Sequence, residues 1–361
     1  MSMKVGIVGM PNAGKSSLFN ALTSAGAEAA NYPFTTIEPN VAVVGVRDER
    51  LEAVAQTVGA SEIVWDTIDF HDIAGLVAGA HEGEGLGNKF LANIRETDAI
   101  LHVVRAHHDD AVVHPEGRVD PLADIATIET ELILADLEQA ERRIERVTKQ
   151  ARGGDKTAIV EQAWLTEVIE ALSAGKPART IAVPEEAPNA ARDLGSLTSK
   201  PVLFVANIDE GTDQIPQEIA AYAAQQGAGA VSVSARIESE LVELEEQEAA
   251  LMRAELGVSE SGLERVVRGA FGLLGLIAFF TAGEAKPAQS WHLREGQSAW
   301  HAAGQIHSDI QKGFVRAEVI GWRELVDAGG YAGARGLGTL RLEGRDYVMG
   351  DGEVITIKFT P

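Results

Sequence analysis

The sequence contains no cysteine. That absence excludes disulfides, thiolate nucleophiles and Cys-ligated zinc. Basic residues are scarce as well: 31 Lys and Arg stand against 54 Asp and Glu, a formal charge of -23 with the nine His taken as neutral. Such a deficit argues against sequence-independent affinity for a polyanion, which needs clustered Lys and Arg, although the rule applies patch by patch. Long hydrophobic runs are missing too. The longest, Ala270 to Ala282 with Gly272 and Gly275 inside it, falls short of the roughly 20 helical residues that cross a bilayer. The opening MSMKVGIVGM lacks the charged stretch, apolar core and cleavage site of a signal peptide. A soluble, cytoplasmic monomer with no membrane contact is the expectation.

What is present is an ordinary globular composition, 45% hydrophobic and 24% charged over 361 residues, enough for two or three domains with their own cores. Apolar, β-branched runs at Val5 to Val8, Val41 to Val46, Ile63 to Phe70, Ile100 to Val104, Val202 to Val205 and Val231 to Val233 read as strands. Their near-continuous hydrophobicity, with helical patterns between them, predicts an α/β fold with a mostly parallel, doubly wound sheet. From 120 to 200 the spacing of Leu137, Ala140, Ile144, Val147 and Ala151, the Gly153-Gly154 break, and Leu165, Val168 and Leu172 predict a helical hairpin inserted into that domain. The predicted nucleotide domain is therefore discontinuous, 1–119 with 201–277. From 278 to 361, short runs and turn signals predict a small α+β module, with Trp300 to Ile310 as its helix and Val354 to Phe359 as its last strand. The Glu-rich stretch from Glu238 to Glu255 reads as one helix with a charged outer face.

The chemistry begins directly after the first strand. Gly9-Met10-Pro11-Asn12-Ala13-Gly14-Lys15-Ser16 matches G-x-x-x-x-G-K-[ST] in its required strand–loop–helix setting. Such a loop wraps backbone N–H groups around a β-phosphate and adds the partial positive charge of a helix N-terminus. Asn12, Ala13, Gly14, Lys15, Ser16 and Ser17 are thus candidate phosphate-binding residues. Lys15 is expected to bridge the β and γ oxygens and act catalytically, and Ser16 to ligate Mg²⁺. Asp72-Ile73-Ala74-Gly75 closes the third strand, where a carboxylate can hold Mg²⁺ and Gly75 can offer its N–H to a γ-phosphate. Between them, Tyr32 to Asn40, with Thr35 and Thr36, has the make-up of a switch loop.

The fifth strand ends in Asn207-Ile208-Asp209-Glu210, where a guanine-reading enzyme would carry N-K-x-D. Ile208 replaces the Lys and Glu210 the Asp whose carboxylate accepts from guanine N1–H and its amine. Adenine has no N1–H, so base choice is expected to move toward ATP. Ser234-Ala235, after the sixth strand, falls where a last base-flanking loop would lie.

Taken in order, these features resemble the YchF family, the Obg-like ATPases within the Obg group of P-loop NTPases, over nearly the whole length. The carriers of the resemblance are GMPNAGKSS, YPFTTIEPN, DIAGLVAGAHEGEGLGNKFL, the N-x-x-E element, the helical insertion, and KGFVRAEVI with LEGRDYVMGDGEVI in a C-terminal module similar to a TGS (β-grasp) domain. The resemblance implies a Ras-like G domain, ATP hydrolysis with Mg²⁺, Thr36 as a further Mg²⁺ ligand, and association with ribosomes or the large ribosomal subunit. The family's reported redox response through cysteine cannot apply to a chain without one. An ordinary GTP-hydrolysing assembly factor of the Obg kind, and a binding module with incidental turnover, are the competing functions.

The position after Gly75 is Leu76, which cannot orient a water as the Gln of Ras-like enzymes does. Slow intrinsic hydrolysis is expected, with His81 and His114 as candidates for holding the water. In related NTPases an Asn at the place of Asn12 holds a monovalent cation, which makes K⁺ a further candidate cofactor; hydrogen bonding within the loop is the plainer role. Charge is also unevenly spread. Residues 120–260 hold 27 acidic and 12 basic side chains, whereas 278–361 hold 10 and 9, so the C-terminal module is the part expected to face RNA.

Overall fold

The computed structural model describes residues 3–27, 40–73, 86–107, 117–258 and 260–360. In chain order the elements are β1 (Met3–Val8), α1 (Lys15–Ala27), β2 (Val41–Gly45), α2 (Glu49–Val58), β3 (Ile63–Val64), β4 (Thr67–Asp72), α3 (Leu86–Arg95) and β5 (Ala99–Arg105). Then follow α4 (Pro121–Arg152), α5 (Lys156–Ser173), α6 (Ala190–Leu194), β6 (Val202–Asn207), α7 (Gln217–Gln225), β7 (Gly229–Val233), α8 (Ala235–Leu241), α9 (Glu246–Glu255) and α10 (Gly262–Leu273). The last part comprises β8 (Leu276–Thr281), β9 (Ala288–Arg294), α11 (Ala299–Ile306), α12 (Ser308–Lys312), β10 (Phe314–Gly321), α13 (Trp322–Asp327), α14 (Tyr331–Leu337), β11 (Arg341–Glu343) and β12 (Glu353–Phe359). No described helix is long and apolar enough to cross a membrane.

Two compact units result. One joins Met3–Val44 with Asp69–Leu273. Its six-stranded sheet has the order β2-β4-β1-β5-β6-β7, with parallel pairs β1–β5, β5–β6 and β6–β7. Every residue of β5 and β6 is buried, as the continuous apolar runs require of central strands covered on both faces. The core cluster contains Val8, Phe90, Ile94, Ile100, Phe204 and Ile219.

The helical hairpin has clear local causes. Asp120 caps α4 by accepting from Ala123 N at 3.1 Å, and Pro121 occupies the first turn. Gly154, at φ 86°, makes the turn that the pair of glycines predicts. Asp155 then caps α5 through Ala158 N. Ala140, Val147, Trp164, Leu165, Val168 and Leu172 form a core belonging to the hairpin itself. At its base Asp136, fully buried, accepts hydrogen bonds from Ser196 and Leu197 and two from Thr198.

His102 lies on β5, 2% exposed, with its ring 5.4 Å from that of Phe204. Burial, aided by the positive charges of Lys15 and Arg179, lowers its pKa to about 3. The folded protein therefore holds it neutral, while the unfolded chain takes up a proton near pH 6.5. Stability from this residue is complete above that pH and declines as pH falls toward 3. Between pH 7.5 and 5.5 the native protein should lose about 1.4 kcal/mol more than His102→Phe does. Urea titrations of both at the two pH values measure this; parallel losses would refute it.

The other unit joins Gly45–Ile68 with Leu274–Pro361. Its sheet has the order β11-β10-β12-β8-β9-β3, with β10–β12 and β8–β9 antiparallel and β12–β8 and β3–β9 parallel. Its core gathers Phe279, Leu293, Ala302, Val319 and Ile355. The apolar run expected as one strand from Ile63 to Phe70 is two: β3 joins this second sheet, and β4 joins the first. Asp66, between them, donates its N–H to Ser290 Oγ at 2.8 Å and lies 2.7 Å from His292 Nδ1. The predicted nucleotide domain, 1–119 with 201–277, includes residues 45–68, whereas the structure groups them with the C-terminal part.

Three further differences have local reasons. The helical pattern from Trp300 to Ile310 is α11 and α12, broken at His307, whose backbone is extended and whose Nδ1 caps α12 by accepting from Asp309 N at 3.1 Å. The Glu-rich stretch is also two helices, α8 and α9. Glu238 is not on an outer face: it is 5% exposed and accepts from Ser261 Oγ and Gly262 N, closing the start of α10.

Candidate functional site

The loop leaving β1 is bent at positions few residues tolerate. Gly9 has φ 152°, and a Cβ there would meet Val103 O at 2.3 Å. Asn12 takes φ 62°, which Asn accepts more readily than most residues. Gly14 has φ 99°, and a Cβ would fall 2.2 Å from Asn207 Nδ2. Helix α1 starts at Lys15, so the N–H groups of its first turn, including those of Ser16 and Ser17, have no acceptor within the helix. Both serines are exposed.

Lys15 is 8% exposed and donates from Nζ to Met10 O at 2.8 Å. Burial lowers its pKa, and the charge of Asp72 works against that shift. Asp72, at the end of β4, is affected in the opposite sense: burial raises its pKa and Lys15 opposes it. A desolvated ammonium and a half-buried carboxylate thus act on one another at the mouth of the loop. Ser16 and Asp72 offer hard oxygen donors of the kind Mg²⁺ takes, and Mg²⁺ commonly completes such a set with phosphate oxygens and water. Among the described residues no group of three His, Asp or Glu could hold a metal by itself.

On the far side, Asn207 is 5% exposed, and its amide is committed at both ends. Nδ2 donates to Ala13 O at 3.0 Å and Oδ1 accepts from Ala235 N at 3.1 Å. The end of β6, the phosphate loop and the start of α8 are tied together by this one side chain. Ile208 is buried in the main core, its N–H bonded to Val233 O at 2.9 Å. Glu210 is half-exposed, with Oε1 3.3 Å from Arg236 Nε. Ser234 precedes α8 and Ala235 opens it.

The structure therefore brings Ala13, Gly14, Lys15, Asp72, Asn207 and Ala235 together, and places Glu210 beside Arg236. Thr36, Gly75, His81 and His114 lie outside the described residues, as does Leu76. The Met10 carbonyl and Arg236 are partners that sequence reading missed. Arg236 had a signal, since it immediately follows Ser234-Ala235. The Met10 contact involves only a backbone oxygen and had none.

Helix-end N–H groups, a buried ammonium and a nearby carboxylate, gathered past the ends of β1, β4 and β6, answer the needs of a polyphosphate with its cation. By fold and site the protein is a P-loop nucleoside triphosphatase. Residues 4–149 match the family model described as "50S ribosome-binding GTPase", and residues 276–360 match YchF-GTPase_C, described as "Protein of unknown function (DUF933)". The chain is 48% identical to "Ribosome-binding ATPase YchF" of Bacillus subtilis, covering 99% of this chain and 100% of that one. It is 49% identical to the protein of that name from Haemophilus influenzae, covering 99% of each. The solved structure of the Schizosaccharomyces pombe YchF GTPase superposes with a TM-score of 0.87 at 34% identity, covering 99% of this chain and 98% of that one. The chain belongs to the YchF family.

Proposed function

We propose that the protein is a Mg²⁺-dependent ATPase whose bound nucleotide sets the state of its switch loop and thereby its association with ribosomes. The observation that carries the choice of base is the corner formed by Asn207, Glu210 and Arg236. There the carboxylate at the guanine-reading position already has a cationic partner, 3.3 Å away. The bacterial relatives' names, which say both ribosome-binding and ATPase, support the same reading.

In this reading Lys15 holds the β and γ oxygens, and the loop N–H groups from Ala13 to Ser17 enclose the phosphates. Ser16 and Asp72 would hold Mg²⁺, with Thr36 as a third ligand; the ion neutralises charge on the transferred phosphoryl group when bound. His81 or His114 orients the attacking water, and Asn12 is the residue through which K⁺ would act.

Comparative titration with MgATP and MgGTP tests the base assignment. ATP should bind at least tenfold more tightly, and tight GTP binding with much weaker ATP binding would refute it. Turnover measured with and without ribosomes and K⁺ tests the switch, since stimulation below about twofold under all conditions would mark a module that signals by occupancy alone.

A further inference from the structure

We infer that Arg236 determines base specificity, by engaging the Glu210 carboxylate so that it cannot serve as the free acceptor guanine requires. The inference rests on the ATP reading above and assigns it a residue.

Guanine presents two adjacent donors, N1–H and the 2-amine, and a carboxylate satisfies them only if both oxygens are available and negative. Glu210 does not offer that. Its Oε1 lies 3.3 Å from Arg236 Nε, and Arg236 is steered from behind by Glu240 Oε1 at 3.6 Å, one turn further along α8. The guanidinium also has five donors and no acceptor. Held against Glu210, it occupies the acceptor that the donor edge of guanine would need, while adenine, whose N1 is an acceptor, makes no demand on that carboxylate.

The pair's surroundings make a purely structural role a poor account. The Arg236 side chain is 74% exposed and that of Glu210 45%, a setting in which ion pairs add little to stability. Yet the two residues sit on the two loops that Asn207 fastens to each other, one three residues after Asn207 and the other directly after Ala235. Their separation is thus fixed by a buried hydrogen bond rather than by their own attraction. Glu supports the arrangement better than Asp would, because its extra methylene carries the carboxylate farther from the β6 end toward α8.

The test is the ratio of ATP to GTP affinity, by calorimetry with each Mg²⁺ nucleotide, for wild type, Arg236→Ala, Arg236→Lys, Glu210→Ala and the double Ala variant. Arg236→Ala should lower the ratio at least fivefold, mainly by tighter GTP binding, and Arg236→Lys should lower it less. With Glu210 already removed, deleting Arg236 should change the ratio by less than twofold, since Arg236 acts through that carboxylate. A wild type that prefers ATP with an Arg236→Ala ratio within twofold of it would overturn the inference and leave the ATP reading standing. A wild type that prefers GTP would overturn both. Additive effects in the double variant would show that Arg236 does not act through Glu210.

Discussion

Replacing Lys15 with alanine should weaken MgATP binding by about a hundredfold to ten-thousandfold without unfolding the protein. Charge-assisted hydrogen bonds contribute roughly 1.5–3 kcal/mol each, and Lys15 is assigned two, one to each of two phosphate groups. The structure adds a reason for expecting little damage to the fold. Burial lowers the pKa of Lys15 despite the opposing charge of Asp72, so desolvation outweighs that attraction and holding the charged side chain costs free energy when no nucleotide is bound. Removing it relieves that cost and gives up one hydrogen bond to Met10 O together with the attraction of Asp72. These effects oppose one another, and the melting temperature without nucleotide should move by less than about 3 °C. Calorimetric titration paired with a thermal melt separates the two consequences. Affinity within threefold of wild type would contradict the assignment of this loop to phosphate.

How much of this was legible beforehand depends on the range of the contacts involved. Gly9, Gly14 and Lys15 could be recognised because a phosphate-binding loop is local: a strand, a turn and a helix start within a few residues constrain one another. The hairpin could be read for the same reason, since Asp120, Pro121 and Gly154 each act on adjacent backbone. Asn207 could be located but not understood. Its partners, Ala13 and Ala235, lie 194 and 28 residues away, and nothing in the spacing shows that its amide joins two loops. Glu238 was misplaced because a Glu among six others in 238–255 looks like a solvated face, whereas its carboxylate caps a helix starting 24 residues later. The grouping of residues 45–68 with the C-terminal part was hidden for a related reason. β3 has two residues, too few for a pattern, and its pairing with β9 spans most of the chain. Helices α13 and α14 were overlooked because six or seven residues cannot establish a helical period.

The largest loss of stability should come from a residue outside the nucleotide site. Asp136→Ala is expected to cost about 3–5 kcal/mol. The carboxylate is fully buried on α4, and it gathers four donors from three consecutive residues: Ser196 Oγ, Leu197 N, Thr198 N and Thr198 Oγ1, at 2.6–2.8 Å. Alanine would strand all four. Two are backbone N–H groups with nowhere to turn, and an orphaned buried donor costs roughly 1–3 kcal/mol. The damage also propagates, because Thr198 Oγ1 accepts from Ala178 N, and Thr198 O from Arg179 N. The segment following α5 and the segment returning to β6 are thus both held to α4 through one acid. For a unit of this size the melting temperature should fall by about 10 °C. Asp136→Asn should fall between wild type and alanine, since its one oxygen can serve part of the set while its amine confronts the remaining donors. Glu138→Ala, two residues along and paired with exposed Arg142 at 2.9 Å, should change stability by less than about 0.5 kcal/mol. A shift below 2 °C for Asp136→Ala, or one no larger than that of Glu138→Ala, would mean that the hairpin base is held by its apolar contacts and not by this carboxylate.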